Sequence, residues 1–252
     1  MRKIVLAMLA SAASMLLAGA AAAESYLALQ VGGMFGARGR NLTATENLGY
    51  PPDYTDPVSA TGSDISFDAS FMVGFKAGHY FDSLPGLGVE FDGQYGRPNF
   101  KRQNVTIALK DVSFGGFSAF TEDQIPADVH MFSGSLNLLY RFSQFSTVKP
   151  YIGAGPSFYR LLFRGSGDSG NIIDPMDLAT PLGAGPSLDG TGTGFGFNLK
   201  AGLEIPLNNR FSIDAEYKYN WAHLNVDRFR SLTSIGADFE VHIVAVGFRW
   251  KF

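Results

Sequence analysis

The sequence predicts an all-β fold, an eight-stranded antiparallel up-and-down transmembrane β-barrel. Three observations carry this expectation. Apolar and polar residues alternate with period two through eight stretches of the 252-residue chain, the pattern of strands whose successive side chains point to opposite faces. The connections between these stretches alternate short and long, three tight turns against four long segments. The apolar face carries large aromatics at strand ends (Tyr140, Phe142, Trp221, Trp250, Phe252), as girdles at two membrane interfaces require. A water-soluble eight-stranded barrel would reverse the faces, placing the apolar side chains inside, and needs neither girdles nor unequal ends.

Composition agrees. With 30 Gly, 22 Phe, 10 Tyr and 17% charged residues, the chain favours strands and turns over helices. It has no Cys, which excludes a disulfide scaffold, a thiolate metal site and a Cys nucleophile. Twenty Lys+Arg face 23 Asp+Glu, a net charge of −3, so no basic surface for nucleic acid is expected.

The first element is an address. Met1-Arg2-Lys3 is a basic head, residues 4–18 are apolar, and Ala21-Ala22-Ala23 supplies small residues for cleavage before Glu24. Residues 1–23 therefore read as a secretory signal peptide and residues 24–252 as the barrel domain. Losing Arg2 and Lys3 leaves 18 Lys+Arg against 23 Asp+Glu, about −5. After Ala23 no apolar run approaches the roughly 18 residues of a membrane-spanning helix.

The strands follow in order, each with an apolar and a polar face. Residues 26–35 show Leu27, Leu29, Val31 and Phe35 against Ala28, Gln30 and Gly32, and residues 70–81 show Phe71, Val73, Phe75 and Ala77. Residues 87–96 set Leu87, Val89, Phe91 and Tyr95 against Glu90, Asp92 and Gln94. In residues 131–142, Phe132, Leu136, Leu138, Tyr140 and Phe142 oppose Ser133, Ser135, Asn137 and Arg141. Residues 149–161 alternate less cleanly, with Ile152, Ala154 and Phe158 opposite Tyr151, Gly153, Ser157 and Tyr159. In residues 194–205 and 211–221, apolar runs from Phe195 and Phe211 oppose Asn198, Lys200, Glu204, Asp214, Glu216, Lys218 and Asn220. The last strand sets Val244, Val246, Phe248, Trp250 and Phe252 against Ala245, Gly247, Arg249 and Lys251. Pro156 falls inside the fifth strand, where a closed sheet has no free edge, so either a bulge is expected there or a strand that leaves the membrane earlier than residue 161. The short turns, at 82–86, 143–148 and 207–210, should face the periplasm. The long segments, 36–68, 97–130, 164–193 and 222–238, should face outward.

The terminal strand Phe248-Arg249-Trp250-Lys251-Phe252, the stretch 136–142 followed by Lys149-Pro150-Tyr151-Ile152-Gly153-Ala154-Gly155, and residues 213–219 resemble the small outer-membrane β-barrel family typified by the membrane domain of outer-membrane protein A. The resemblance spans the chain after residue 23. It implies residence in the bacterial outer membrane among its lipid and lipopolysaccharide. It also implies that Phe248, Trp250 and Phe252 form the recognition signal for the barrel-assembly machinery, and that the periplasmic domain of some relatives is absent.

An eight-stranded barrel is just wide enough for side chains to fill it. The inward list holds the cations Lys76, Arg141, Lys200, Lys218, Arg249 and Lys251 and the anions Glu90, Asp92, Glu204, Asp214 and Glu216. Unpaired buried charge is costly, so these should form a salt-bridged plug rather than an ion path.

No catalytic, metal or cofactor constellation emerges. Gly167-Asp168-Ser169-Gly170 resembles a protease nucleophile segment, but nothing nominates its base. Asp168, Asp174, Asp177 and Asp189 lack calcium-loop spacing. His79 falls toward the periplasmic end, whereas His130, His223 and His242 fall near the outer strand ends, His242 on the lipid face by parity. Lipid A deacylases place a Ser two residues after such a His; here that position is Asn225. The expected role is therefore non-enzymatic, in envelope structure or in binding an extracellular ligand through the loops. Those loops carry Tyr50-Pro51-Pro52-Asp53-Tyr54 and a candidate hairpin of residues 105–109 and 114–120, with Phe114, Phe117 and Phe120. The alternatives are a channel for small hydrophobic or ionic solutes and a lipid A-modifying enzyme. A His–Ser or His–carboxylate cluster at the outer rim would favour the enzyme.

Overall fold

In the computed structural model, residues 24–46, 58–99, 101, 104–110, 117–123, 128–142, 147–164, 190–229 and 232–252 are described. The expected signal peptide, the segment 50–54, Phe114, and the third-loop motif and aspartates lie outside them. Eight long strands close into one barrel: β1 (Glu24–Glu46), β4 (Ser70–Tyr80), β5 (Leu87–Gly96), β8 (Asp128–Arg141), β9 (Lys149–Arg164), β10 (Gly190–Pro206), β11 (Phe211–Phe229) and β12 (Leu232–Lys251). Each pairs antiparallel with its neighbour in this order, and β12 closes on β1 from Tyr26↔Lys251 to Thr45↔Ser234. Closure leaves the barrel wall no edge, and each wall strand pairs with a neighbour on both sides. Four further strands, β2 (Val58–Gly62), β3 (Ile65–Ser66), β6 (Asn104–Lys110) and β7 (Phe117–Asp123), extend the sheet at the long-loop end. β6 and β7 pair as the expected hairpin, with Phe117 and Phe120 on β7.

The sequence alternation becomes the two sides of this wall. Leu29, Val31, Phe71, Phe75, Leu136, Leu138, Ile152, Phe195, Leu199, Val244, Val246 and Phe248 are exposed on the outside. Aromatic contacts mark the short-turn rim, with Trp250–Phe252 at 5.3 Å and Tyr140–Phe142 at 5.0 Å between ring centroids.

Two expectations are corrected. Residues 222–238 are not a long loop, because β11 and β12 run on as a paired ribbon to Phe229↔Leu232. Likewise β1 continues to Glu46 and pairs there with β2, so much of 36–68 is strand. Beyond the lipid the outer face turns polar (His223, Asn225) and the inner face apolar (Ala222, Leu224, Val226), so the alternation continues with its faces exchanged and does not end the strand. Pro156 also makes no bulge. It keeps register with Phe197 on β10, while on the other side the β8–β9 ladder passes from Ser135↔Ser157 to Leu138↔Ala154 without a shift, omitting the two intervening rungs. The missing N–H costs local pairing, and the Asn198 side-chain amide instead reaches the Gly155 carbonyl at 3.1 Å.

The bulges lie elsewhere, in β1 against β12. Register slips between Phe35 and Arg38 and again between Arg40 and Thr43. A left-handed residue accompanies each slip, Gly36 at φ 60° and Asn41 at φ 52°.

Candidate functional site

The lumen is built in three layers. At the short-turn end the charged side chains of β1, β4, β5, β8, β10, β11 and β12 converge in two groups. In the first, Arg249 binds Asp214 through Nε at 3.0 Å and Nη2 at 2.8 Å, and Glu204 through Nη1 at 3.1 Å. Lys251 also donates to Glu204, and Arg141 reaches Glu204 at 3.2 Å and Glu24 at 2.6 Å. The two guanidinium groups lie over aromatic faces, Arg141 above Tyr80 and Arg249 above Tyr26, each at 3.9 Å from the ring centroid. In the second group Lys76 donates to Glu216 at 2.6 Å, and Lys200 to Asp92 at 2.9 Å and to Glu90. Lys218 donates to Asp92, and Tyr26 and Tyr151 give hydroxyl protons to Glu90 at 2.5 Å and Glu216 at 2.9 Å.

All eleven charged residues read as inward from the sequence meet in these two groups, and all but Arg141 are buried. Glu24 was missed. At the expected cleavage boundary it looked like a terminus, yet it is the partner of Arg141 and brings the count to six cations and six anions. The stacked tyrosines were also missed, because parity places them inside without saying that they lie under guanidinium groups.

Above the charges Gln30, Gln94, Ser135, Asn137, Ser157, Asn198 and Asn220 form a neutral polar belt; Asn198 bonds Asn137 at 2.7 Å and Ser157 at 2.9 Å. Above that, the lumen turns apolar. Met34, Met72, Val129, Met131, Tyr159, Leu161, Leu224, Phe239, Val241 and Ile243 pack as one buried cluster, with Phe67 against it, edge-on to Phe239 at 5.7 Å. An inward apolar layer contradicts the simple rule of apolar outside and polar inside. A cavity of about 850 Å³ opens at the short-turn mouth, lined by residues including Glu24, Lys149, Arg210, Trp250 and Lys251.

The histidines sit on the wall, each with a partner at Nδ1. His79 meets Ser25 Oγ at 3.0 Å, His130 meets Tyr95 Oη at 2.8 Å, and His242 meets Tyr217 Oη at 2.7 Å. His223 meets Asp238 Oδ1 at 2.8 Å, and Asn41 donates to the other Asp238 oxygen at 2.8 Å. These two hydrogen bonds, Asn41's first, hold the Asp238 carboxyl below its ordinary value. The result is a His–carboxylate pair at the outer rim, with the Nδ1 proton directed at Asp238. No cluster of three or more metal-ligating side chains occurs among the described residues.

The family comparison agrees with this architecture. The family model described as outer membrane protein beta-barrel domain matches residues 5–252. No curated protein sequence matches the chain. Among solved structures, Neisserial surface protein A aligns at 18% identity and a TM-score of 0.45, over 92% of this chain and 100% of that one. AlkL in lipid bilayers aligns at 16% and 0.48, over 93% and 92%. The outer membrane protease OmpT from Escherichia coli aligns at 8% and 0.41, over 91% and 96%. Such distant likenesses assign no activity. The family match places the protein in the bacterial outer membrane, where the short turns of a barrel face the periplasm and the longer connections the exterior. The chain belongs to the outer membrane protein beta-barrel domain family.

Proposed function

We propose that this protein is a closed outer-membrane barrel that works at the cell surface through its outer wall and extracellular strands, and not through its lumen. The observation that carries the reading is the filled interior: two interlocked charge groups below, a polar belt, and a buried apolar cluster above. An ion crossing this path would have to displace paired charges and then enter the apolar layer of Met34, Met72, Leu224, Phe239 and Ile243. The extracellular side is correspondingly elaborate, with β1, β2, β6 and β7 forming one sheet and β11 and β12 a ribbon beyond the wall. These strands are the natural place for an extracellular ligand to bind. The outward row Phe248, Trp250 and Phe252 supports recognition by the barrel-assembly machinery. The His223–Asp238 pair at the outer rim is what would favour the alternative, a lipid A-modifying enzyme, and the acylation of lipid A in a His223→Ala variant decides between the two. The test is conductance of the refolded protein in a planar bilayer, with folding checked by heat-shifted gel mobility; reproducible open steps overturn it.

A further inference from the structure

The cavity at the periplasmic mouth, about 850 Å³, is within the size range of ligand sites. Its floor is Glu24 and Lys251, 3.7 Å apart and both held in the charge group of Arg141 and Glu204. Its sides are apolar, from Pro206, Trp250 and Phe252. Its rim carries Lys149, at the start of β9, and Asn208, Asn209 and Arg210, in the turn between β10 and β11.

Hydrogen bonds fix this turn in place. Asn208 Oδ1 accepts the backbone N–H groups of Arg210 at 2.8 Å and Phe211 at 2.9 Å, the closed loop that an asparagine forms with the chain just after it. The Phe211 carbonyl accepts from Leu207 at 2.9 Å and Asn208 at 3.2 Å. The Lys251 N–H donates to the Arg210 carbonyl at 2.7 Å, which binds the turn to β12. With both lone pairs of Oδ1 engaged, the Asn208 side chain has its NH₂ group left to offer a ligand.

The charges around the cavity are unequally committed. Lys149 keeps register with Glu204, but that carboxylate is already taken by Arg249, Lys251 and Arg141. Neither Lys149 nor the exposed Arg210 forms an ion pair with a described residue. The chain ends expected from the sequence, an ammonium at Glu24 and a carboxylate at Phe252, lie side by side and offset each other, since Ser25 and Phe252 exchange backbone hydrogen bonds at 3.0 and 3.3 Å. Asp82, in the turn between β4 and β5, does not line the cavity. Among the described residues Arg141, Lys149, Arg210 and Lys251 therefore face only Glu24 and Glu204, and both uncommitted groups are cations. A recess of one sign between low-dielectric walls concentrates its field and draws in the opposite charge.

We propose that this mouth is a docking site for an acidic peptide segment in the periplasm, with its carboxylates on Arg210 and Lys149, its backbone carbonyls on the amides of Asn208 and Asn209, and its apolar atoms against Trp250 and Pro206. A free inorganic anion satisfies the first of these contacts alone. The guanidinium group takes a carboxylate bidentately, so Arg210 is the more specific contact. The site lies at the opposite end from the extracellular strands and is independent of the surface role proposed above.

Trp250 lines the cavity, and Trp221→Phe leaves it as the single tryptophan. That protein, in zwitterionic detergent micelles, is titrated with acetylated tri-glutamate, and with tri-glutamine as the uncharged control. Saturable change in Trp250 emission is expected with tri-glutamate. The affinity falls at least tenfold in Arg210→Gln with Lys149→Gln and in molar salt, and severalfold in Arg210→Lys. Arg38→Gln, at the outer end, leaves it unaltered, and heat-shifted gel mobility establishes that each variant is folded. Equal binding by the double variant, or by tri-glutamine, overturns the proposal. So does acetate that competes as well as the peptide at equal carboxylate concentration, because the ligand is then a free anion. Displacement of the peptide by an equal amount of phosphatidylglycerol in the micelles also overturns it, because the occupant is then a lipid.

Discussion

Lys200 is the pivot of the interior, and its removal has a calculable consequence. Its Nζ faces Glu90, Asp92 at 2.9 Å and Glu216 at 3.6 Å, all buried. In Lys200→Met the three carboxylates retain Lys76 and Lys218 alone, so one buried negative charge loses its compensation. Removing one partner of a buried ion pair costs about 3–5 kcal/mol, chiefly through the charge left behind, and methionine recovers little of that by packing. The double variant Lys200→Met with Glu90→Gln restores two cations against two anions, and the amide oxygen introduced in place of the Glu90 carboxylate can still accept the Tyr26 hydroxyl proton. It should recover at least half of the loss, because residues in direct contact are not additive. The assay is urea unfolding of the refolded barrel followed by tryptophan emission and gel mobility. A single variant within about 0.5 kcal/mol of the parent, or a double variant no better than the sum of the singles, would refute the view that charge balance holds the interior together.

Three further outcomes follow from the geometry. Gly155→Ala places a Cβ 1.8 Å from the Leu136 carbonyl oxygen, whereas Gly134→Ala meets nothing nearer than Phe91 at 3.8 Å; the first should lower stability by about 1–3 kcal/mol and the second by far less, measured in the same urea assay. The Asp238 carboxyl should titrate below the ordinary value of about 3.9, so its stabilising bonds are intact above that pH and lost as pH falls through its own lower midpoint. Carboxyl carbon NMR should show that midpoint rising in Asn41→Ala, and an unchanged midpoint would remove Asn41 from the account. Finally, His223→Ala should leave the acylation of lipid A unaltered in mass spectra of cells producing the protein; acyl loss dependent on His223 would reveal an enzyme.

The eight strands were legible because one face of each must meet lipid, which forces alternation over the membrane depth. The same constraint explains what was hidden. Once β1 and β11 pass the lipid, nothing enforces an apolar outer face, so residues such as His223 and Asn225 turn outward while Leu224 and Val226 turn inward, and the alternation persists with its faces exchanged. In the outer half of the lumen Val241 and Ile243 point inward while Val244 and Val246 point outward, so both faces read as apolar and parity alone could not reveal a packed inner layer. The bulges at Gly36 and Asn41 were invisible for a related reason, since each reverses the parity on which the inference rests. Glu24 joined the charge network from a position that looked like a cleavage remnant. The charge-bearing positions themselves could be read from parity, but their partners depend on register across strands, which one chain's spacing does not encode.

The central claim is that the lumen is closed. Planar-bilayer recording of the refolded protein, at both signs of applied voltage and over a range of salt, tests it most directly. The account predicts no resolvable steps from the folded parent, with openings appearing in Lys200→Met or Glu216→Gln if the weakened charge layer loosens. Stable steps from the parent that change in conductance with Lys200 or Glu216 would show that ions pass the charge network, and would make this protein a channel.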